Sequence, residues 1–323
     1  MKKNILKKLL FVLCLYIIVN HTFMLSPKVK TASVNLPRIV FPVISDVHIG
    51  GSGADLKYEE TLRQCKELYP NYDAIAIVGD ITDQGKQRQY ETFMQILKLR
   101  KPARAEAVIT MGNHEYIGEN TTDKVAEARF VKETGMPGLY YDKWIKGYHF
   151  IVLAPENKME AKSFGDQLKW LDSKLNEKEE KNKPIFVFLH QPFPNTVYGS
   201  HSWGQVVNYK KVFSILKNHP QVIFFSGHSH YSLEHPRTMY KKGFTMFNTG
   251  AVYYIMAEDD KYCDYKLSQG LFVEVYDEEV IVKCREFSKQ QWIGKIYTIK
   301  YPHISLNKIN SNIEQSMLLF NIS

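Results

Sequence analysis

Five short polar clusters in this 323-residue chain carry the side chains that could do chemistry. They are Asp46-Val47-His48, Asp80-Ile81-Thr82-Asp83, Asn113-His114-Glu115, His190, and His228-Ser229-His230. Together they offer carboxylate oxygens, an amide oxygen and imidazole nitrogens, with no thiolate among them. That donor set argues against a structural zinc finger and suits Mn, Fe or Zn in a mixed site. An isolated histidine is ordinarily a hydrogen-bonded structural residue. Five of them in motif context at four strand ends point jointly to one site.

The elements that must position these residues can be read from the flanking sequence. Ala74–Val78 is apolar without polar alternation, as expected of a central strand covered on both faces, and Gly79 lets the backbone leave it tightly. Ile39–Ser45, Ala107–Met111, Pro184–Leu189 and Val222–Ser226 end in the same way, each delivering a polar motif. In open α/β sheets ligands collect outside the carboxyl ends of such strands. Helical spacing is predicted over Asp55–Tyr69, Gln87–Leu99, Thr121–Glu133, Gln167–Asn176 and Asn208–Asn218, with a capping box at Ser163–Asp166. Leu139–Ile145 reads as a hairpin turning at Asp142-Lys143, followed by a strand at His149–Ala154. Late β-like runs at Thr245–Asn248, Val252–Ile255, Gly270–Tyr276, Val280–Phe287 and Lys295–Ile299 suggest a second sheet. The alternation predicts an α/β sandwich with mostly parallel central strands in a single domain.

Taken in order, Asp-x-His, Gly-Asp-x-x-Asp, Gly-Asn-His-Glu, His and Gly-His-x-His resemble the signature of the calcineurin-like metallophosphoesterases over about Ile39 to Gly250. The resemblance implies a four-layer αββα sandwich of two mixed sheets with a dinuclear metal site at strand ends. It implies two divalent ions, with Asp80 bridging, Asp46, His48 and His230 completing the first site, and Asn113, His190 and His228 the second. His114 takes the position that faces the leaving group, where a protonated imidazole can hand over a proton. Asp83 is placed against that imidazole, with a helix N-cap as its equally weighted alternative. Glu115 reads as support for the turn. Purple acid phosphatases carry tyrosine where Asp83 stands, and protein Ser/Thr phosphatases follow that aspartate with Arg-Gly, where this chain has Gln84-Gly85. The wording Gly79–Gly85, with Tyr90 and Phe93 beyond it, is closer to the cyclic-nucleotide phosphodiesterase-like branch. The implied function is a phosphodiesterase acting on a small phosphoester through a dimetal-activated hydroxide. A phosphomonoesterase, or a metal-free interaction scaffold of the same fold, are the alternatives; scaffolds are expected to lose ligands, and all seven are present. The long segment Gln191–Asn208 offers Tyr198 and Trp203 to stack a base or sugar face and His201 to reach a second phosphate oxygen, with simple packing over the sandwich as the alternative. Histidines 21, 149, 219, 235 and 303 are assigned to structure.

The net charge of +8 invites a polyanion partner until the charges are located. Residues 1–32 hold six lysines and no acid, which leaves 36 basic against 34 acidic residues, so no nucleic-acid partner is expected. The same stretch has a basic start and an apolar run at Leu9–Val19, shorter than the ~20 residues of a spanning helix. It reads as a signal peptide or signal-anchor, followed by the phosphoesterase domain at 33–306 and a tail at 307–323. The protein is therefore expected to be secreted or held at the cell surface, touching the membrane only through an uncleaved leader. N-terminal sequencing of fractionated protein distinguishes the two. Cys65, Cys263 and Cys284 define no disulfide framework; a Cys263–Cys284 bridge is the alternative to small buried side chains.

Overall fold

The structure is a computed structural model that describes residues 36–118, 122–154, 164–177, 183–201, 205–206, 208–256 and 262–301. The expected leader, the tail, Ser163 and Trp203 lie outside the described residues. Three parallel strands, β1 (Ile39–Ile44), β2 (Ala74–Val78) and β3 (Glu106–Thr110), lie side by side, joined by crossover helices α1 (Ala54–Leu68) and α2 (Gln87–Arg100). The long antiparallel strands β12 (Gln269–Val275), β13 (Glu279–Glu286) and β14 (Gln291–Lys300) extend this sheet from the β1 edge, in the order β14-β13-β12-β1-β2-β3. Helix α3 (Asp123–Thr134) begins at Thr122, whose hydroxyl accepts from the Val125 amide, and ends at Gly135.

The second sheet runs β4-β5-β6-β7-β9-β8, from β4 (Tyr141–Ile145), β5 (Tyr148–Val152), β6 (Ile185–Phe188), β7 (Val222–Ser226), β8 (Met239–Lys242) and β9 (Phe244–Asn248). Its central strands β5, β6, β7 and β9 are parallel. The period of two along these strands decides the layering. Phe150, Val152, Phe186, Phe188, Ile223, Phe225 and Phe247 face one way and share a core with the first sheet. Phe41 of β1 meets Phe150 and Phe186 edge-on, at 5.0 and 4.9 Å between ring centres. The alternate residues, Ile151, Val187, Val222, Phe224 and Met246, pack instead against Leu171 and Leu175 of α4 (Gln167–Asn176) and Val212 and Leu216 of α5 (Lys210–Lys217). Tyr58, Leu62 and Cys65 of α1, with Tyr90, Phe93 and Leu97 of α2, join the inner core, and the result is a four-layer αββα sandwich. Each buried phenylalanine contributes about 1.5–3 kcal/mol of burial free energy, so the interface between the sheets is a dominant stabilising contact.

Three local expectations change, while the capping box expected from Ser163 lies outside the described residues. The hairpin turns at Lys146-Gly147, both at positive φ, rather than at Asp142-Lys143, which lie within β4. Two consecutive left-handed residues suit the twist of a tight β-turn, and nothing in the Asp-Lys pair supplies them. The late strands do not form a sheet of their own: β9 joins β7, while β12 to β14 join β1. Val252 and Tyr253 are not in a strand but donate their amides to the carbonyls of Ser45 and Asp46; only Ile255–Met256 pairs, as β10, with β11 (Cys263–Asp264). Helix α4 is preceded by Asp166 in right-handed conformation with no side-chain cap. The three described cysteines are free. No helix among the described residues is long and apolar enough to cross a membrane.

Candidate metal centre

The polar motifs converge because parallel strands in register send their exits to the same edge. The loop after β1 is zipped to the loop after β2: the amides of Asp46, Val47, His48 and Ile49 donate to the carbonyls of Gly79, Asp80, Asp80 and Ile81. The exits of β6 and β7 are tied in the same way, with the Gly227 amide donating to the His190 carbonyl at 3.0 Å. The first sheet thus delivers Asp46, His48, Asp80 and Asn113, and the second delivers His190, His228 and His230, all buried. Asp46, His48, Asp80, His228 and His230 have positive φ, between 49 and 67°. A non-glycine residue in that region costs of order 1 kcal/mol. Five such residues in one place mark a site whose side-chain directions outweigh local backbone preference.

Two groups of donor atoms form around one shared carboxylate. Asp46, His48, Asp80 and His230 make one group, and Asp80, His190 and His228 the other. The Asp80 Oδ2 atom stands between them, 3.1 Å from His190 Nε2 and 3.9 Å from His48 Nε2. Asp46 Oδ1 lies 3.1 Å from His230 Nε2, and Asn113 Oδ1 lies 3.1 Å from His190 Nε2. The outer nitrogens settle the tautomers. His190 Nδ1 donates to the Val78 carbonyl at 2.8 Å, and His230 Nδ1 donates to the Tyr254 carbonyl at 3.1 Å. A carbonyl only accepts, so in the neutral rings each Nε2 turns a lone pair inward. His48 Nε2 and His230 Nε2 face each other at 3.2 Å, and His228 Nδ1 faces His190 Nε2 at the same separation. Converging lone pairs and two buried carboxylates, with no lysine or arginine paired to them among the described residues, are the donor chemistry of a site for cations, so these residues fit a pair of metal ions. The charge imbalance is visible in the imidazoles. Burial pulls the His190 pKa down, but the Asp80 and Asp46 carboxylates override it and raise it to about 9; burial and the neighbouring His190 press His228 down to about 3.

His114 and Asp83 sit beside this cluster in an arrangement that differs from expectation. The His114 ring is held through Nδ1, which donates to the main-chain carbonyl of Asp83 at 2.8 Å, not to its carboxylate, which is 3.9 Å away. That carboxylate stands between two imidazoles, 3.7 Å from His48 Nδ1. It does not cap a helix, since α2 starts after Lys86. Burial lowers the His114 pKa, and the Asp80 carboxylate with the Asp83 carbonyl more than offsets it, so the net direction is upward. Glu115 supports the turns as expected. Its buried carboxylate accepts from the amides of Asp80, Thr82 and Gly112 at 3.1, 2.9 and 2.7 Å, stapling the exits of β2 and β3 together.

Gly79 shows how tightly this is packed. Its φ is +81°, and a Cβ built there would overlap the His190 ring. Gly79→Ala is therefore expected to cost about 1 kcal/mol for the left-handed backbone and to displace His190, lowering metal content at the His190–His228 group first. Metal analysis with a melting curve checks this; an alanine variant with full metal content would contradict the packing account.

The described part of the segment Gln191–Asn208 packs over the sandwich: Phe193, Val197 and Val206 are buried in the outer core. Tyr198 is already engaged, stacked on His235 at 3.5 Å and edge-on to Tyr231 at 4.7 Å, and His201 is exposed. Among the described residues, the tyrosines at the centre come from elsewhere. Tyr254 stacks on His230 at 4.1 Å, and Tyr253 and Tyr254 lie 5.8 and 6.0 Å from His48. Sequence reading placed both in a strand; the adjacent Tyr-Tyr pair was the available signal. A cavity of about 650 Å³ at Phe164, Leu168, Tyr209 and Lys210 lies on the outer helical layer and contains none of these groups.

Fold and cluster together define an αββα sandwich protein with a site able to hold two metal ions. Residues 39–232 match the family model of the calcineurin-like phosphoesterases, and the chain belongs to that family. It is 26% identical over 161 residues to a probable glycerophosphodiester phosphodiesterase, GpdQ, of Arcobacter nitrofigilis, a match covering 46% of this chain and 55% of that relative. It is 22% identical over 220 residues to a probable cyclic nucleotide phosphodiesterase of Rhodococcus erythropolis, covering 63% and 69%. The first match thus spans little more than half of that relative's length. Among solved structures, a purple acid phosphatase from yellow lupin superposes with a TM-score of 0.59 at 12% identity, covering 81% of this chain and 53% of its own. GAP50, an anchor in the inner membrane complex of Plasmodium, superposes with a TM-score of 0.53 at 14% identity, covering 81% and 88%. At these identities the similarity is one of fold.

Proposed function

We propose that this chain hydrolyses small phosphodiesters with two divalent ions held by Asp46, His48, Asp80, Asn113, His190, His228 and His230. The observation that carries the reading is the Asp80 carboxylate, whose Oδ2 stands between the two donor groups while its Oδ1 accepts from the His114 amide at 2.8 Å. When bound, the ions would supply a water of lowered pKa and neutralise the phosphate oxygens. The chain supplies the rest. Asp80 and Asp46 bring the negative charge that retains the ions, while the neutral Asn113 ligates without adding more against an anionic substrate. His114 would give its proton to the departing ester oxygen, with Nδ1 held by the Asp83 carbonyl so that Nε2 is the transferring atom. Buried walls on both sides of the cluster limit bulk water and strengthen each of these interactions.

The diester preference rests on the absence of Arg-Gly after Asp83 and on the two relatives named as phosphodiesterases. The test is a panel on manganese-loaded protein containing bis-nitrophenyl phosphate, nitrophenyl phosphate, glycerophosphodiesters, cyclic nucleotides and a phosphopeptide. Higher kcat/KM on diesters than on any monoester is expected. A monoester well above every diester would overturn the assignment, and fewer than one ion per chain with no turnover would favour a scaffold.

A further inference from the structure

Three tyrosines contributed by the chain after the last metal motif form a wall beside the centre. The main chain of Tyr253 is fixed by its amide on the Asp46 carbonyl, and Tyr254 is fixed by its carbonyl under His230 Nδ1. Lys57 of α1 closes the segment from behind, donating to the carbonyls of Tyr253 at 2.6 Å and Leu267 at 2.8 Å. The Tyr253 ring lies directly over Gly51, where a Cβ would overlap it. Tyr265, just beyond β11, meets Tyr253 at 5.1 Å and Tyr254 at 5.0 Å. Tyr253 is 9% exposed, but Tyr265 is 52% exposed. The inner two rings are thus built in, and the outer one presents an aromatic surface to solvent two ring contacts out from the centre, 5.0 Å from Tyr254, which itself lies 4.1 Å from His230.

We propose that Tyr265, backed by Tyr253 and Tyr254, is a specificity-determining surface that receives an ester group of the substrate and favours a planar aromatic one, such as a nucleobase, over a polyol. This rests on the phosphodiesterase reading above. A π-face stacks on any base regardless of its hydrogen-bonding edge, whereas glycerol has no face to offer. The inner rings are already packed on His48 and His230, so they hold the outer ring in place at little further ordering cost on binding.

The test compares two diesters that release the same alcohol, the methyl esters of adenosine 5′-phosphate and of glycerol 3-phosphate. In the unaltered protein the adenosine ester is expected to have the higher kcat/KM. Tyr265→Ala should lower that value about tenfold, the range of a lost base stack, and leave the glycerol ester unchanged, while Tyr265→Phe keeps the preference because the ring and not the hydroxyl carries it. Equal losses on both esters would show a merely structural role and overturn the proposal, as would no preference in the unaltered protein. If neither ester is hydrolysed, the phosphodiesterase reading fails separately, and calorimetry on manganese-loaded protein decides the wall. Adenosine 5′-monophosphate should then bind about tenfold tighter than glycerol 3-phosphate and lose that advantage in Tyr265→Ala; equal affinities would overturn it.

Discussion

Asp80→Asn is expected to abolish phosphoester hydrolysis and to lower metal content at both positions. The substitution is isosteric, and the amide oxygen can still accept from the His114 amide as Oδ1 does at 2.8 Å, so the turn after β3 keeps its anchor. The other oxygen becomes an NH₂ group pointing at His190 Nε2 and His48 Nε2, where Oδ2 now lies at 3.1 and 3.9 Å. A donor and a lost negative charge replace the atom that serves both donor groups. Changing an outer partner of a metal ligand costs roughly 10–100-fold, so losing a shared inner ligand should cost on the order of 10³-fold or more in kcat/KM. Metal analysis and turnover of bis-nitrophenyl phosphate measure this, with circular dichroism as the check on folding. A folded variant that keeps two ions and near-normal turnover would remove Asp80 from the centre.

The second large effect separates binding from proton transfer. His114→Asn and His114→Gln should retain both ions, because His114 groups with His48 and Asp83 and not with the donors around Asp80, yet lose ~10²–10⁴-fold in kcat on substrates with alkyl leaving groups. An alkoxide needs a proton as it departs, and a nitrophenolate does not, so the loss on nitrophenyl diesters should be much smaller. The ring also packs edge-on to His48 at 4.4 Å between centres, which makes metal retention a necessary control. Equal losses on the two leaving-group classes, or loss of metal, would assign His114 a packing role in place of proton donation.

Where the sequence was legible, the signal was local. An apolar run without alternation, a glycine and a polar motif occupy fewer than a dozen consecutive residues at Ala74–Asp83, and a strand end is specified within such a window. Helices α1 and α2 began and ended within a residue or two of their expected limits because Pro70 and Pro102 close them and their apolar spacing is regular. Leu56 shares the apolar spacing of α1 with Leu62 and Cys65, yet it is 68% exposed and Tyr58 takes the buried place. Spacing alone could not choose between two neighbouring apolar side chains.

By itself, then, the sequence determined which residue types stand at five strand ends and in what order, and with them the family and the two-sheet architecture. Only the tertiary structure decided which sheet each late strand joins, since β9 and β12 carry similar apolar runs and their partners lie tens to hundreds of residues away. It also decided that a main-chain carbonyl, not the Asp83 carboxylate, holds His114, and which nitrogen of each histidine faces the centre. Those choices depend on carbonyls at Val78, Asp83 and Tyr254, and a carbonyl is present at every residue, so no side-chain type announces it. The tyrosine wall was hidden for the same reason. Tyr253 and Tyr265 acquire a common surface only when the amides after Gly250 bond to the carbonyls of Ser45 and Asp46, two hundred residues earlier, and Lys57 draws the two ends of the segment together.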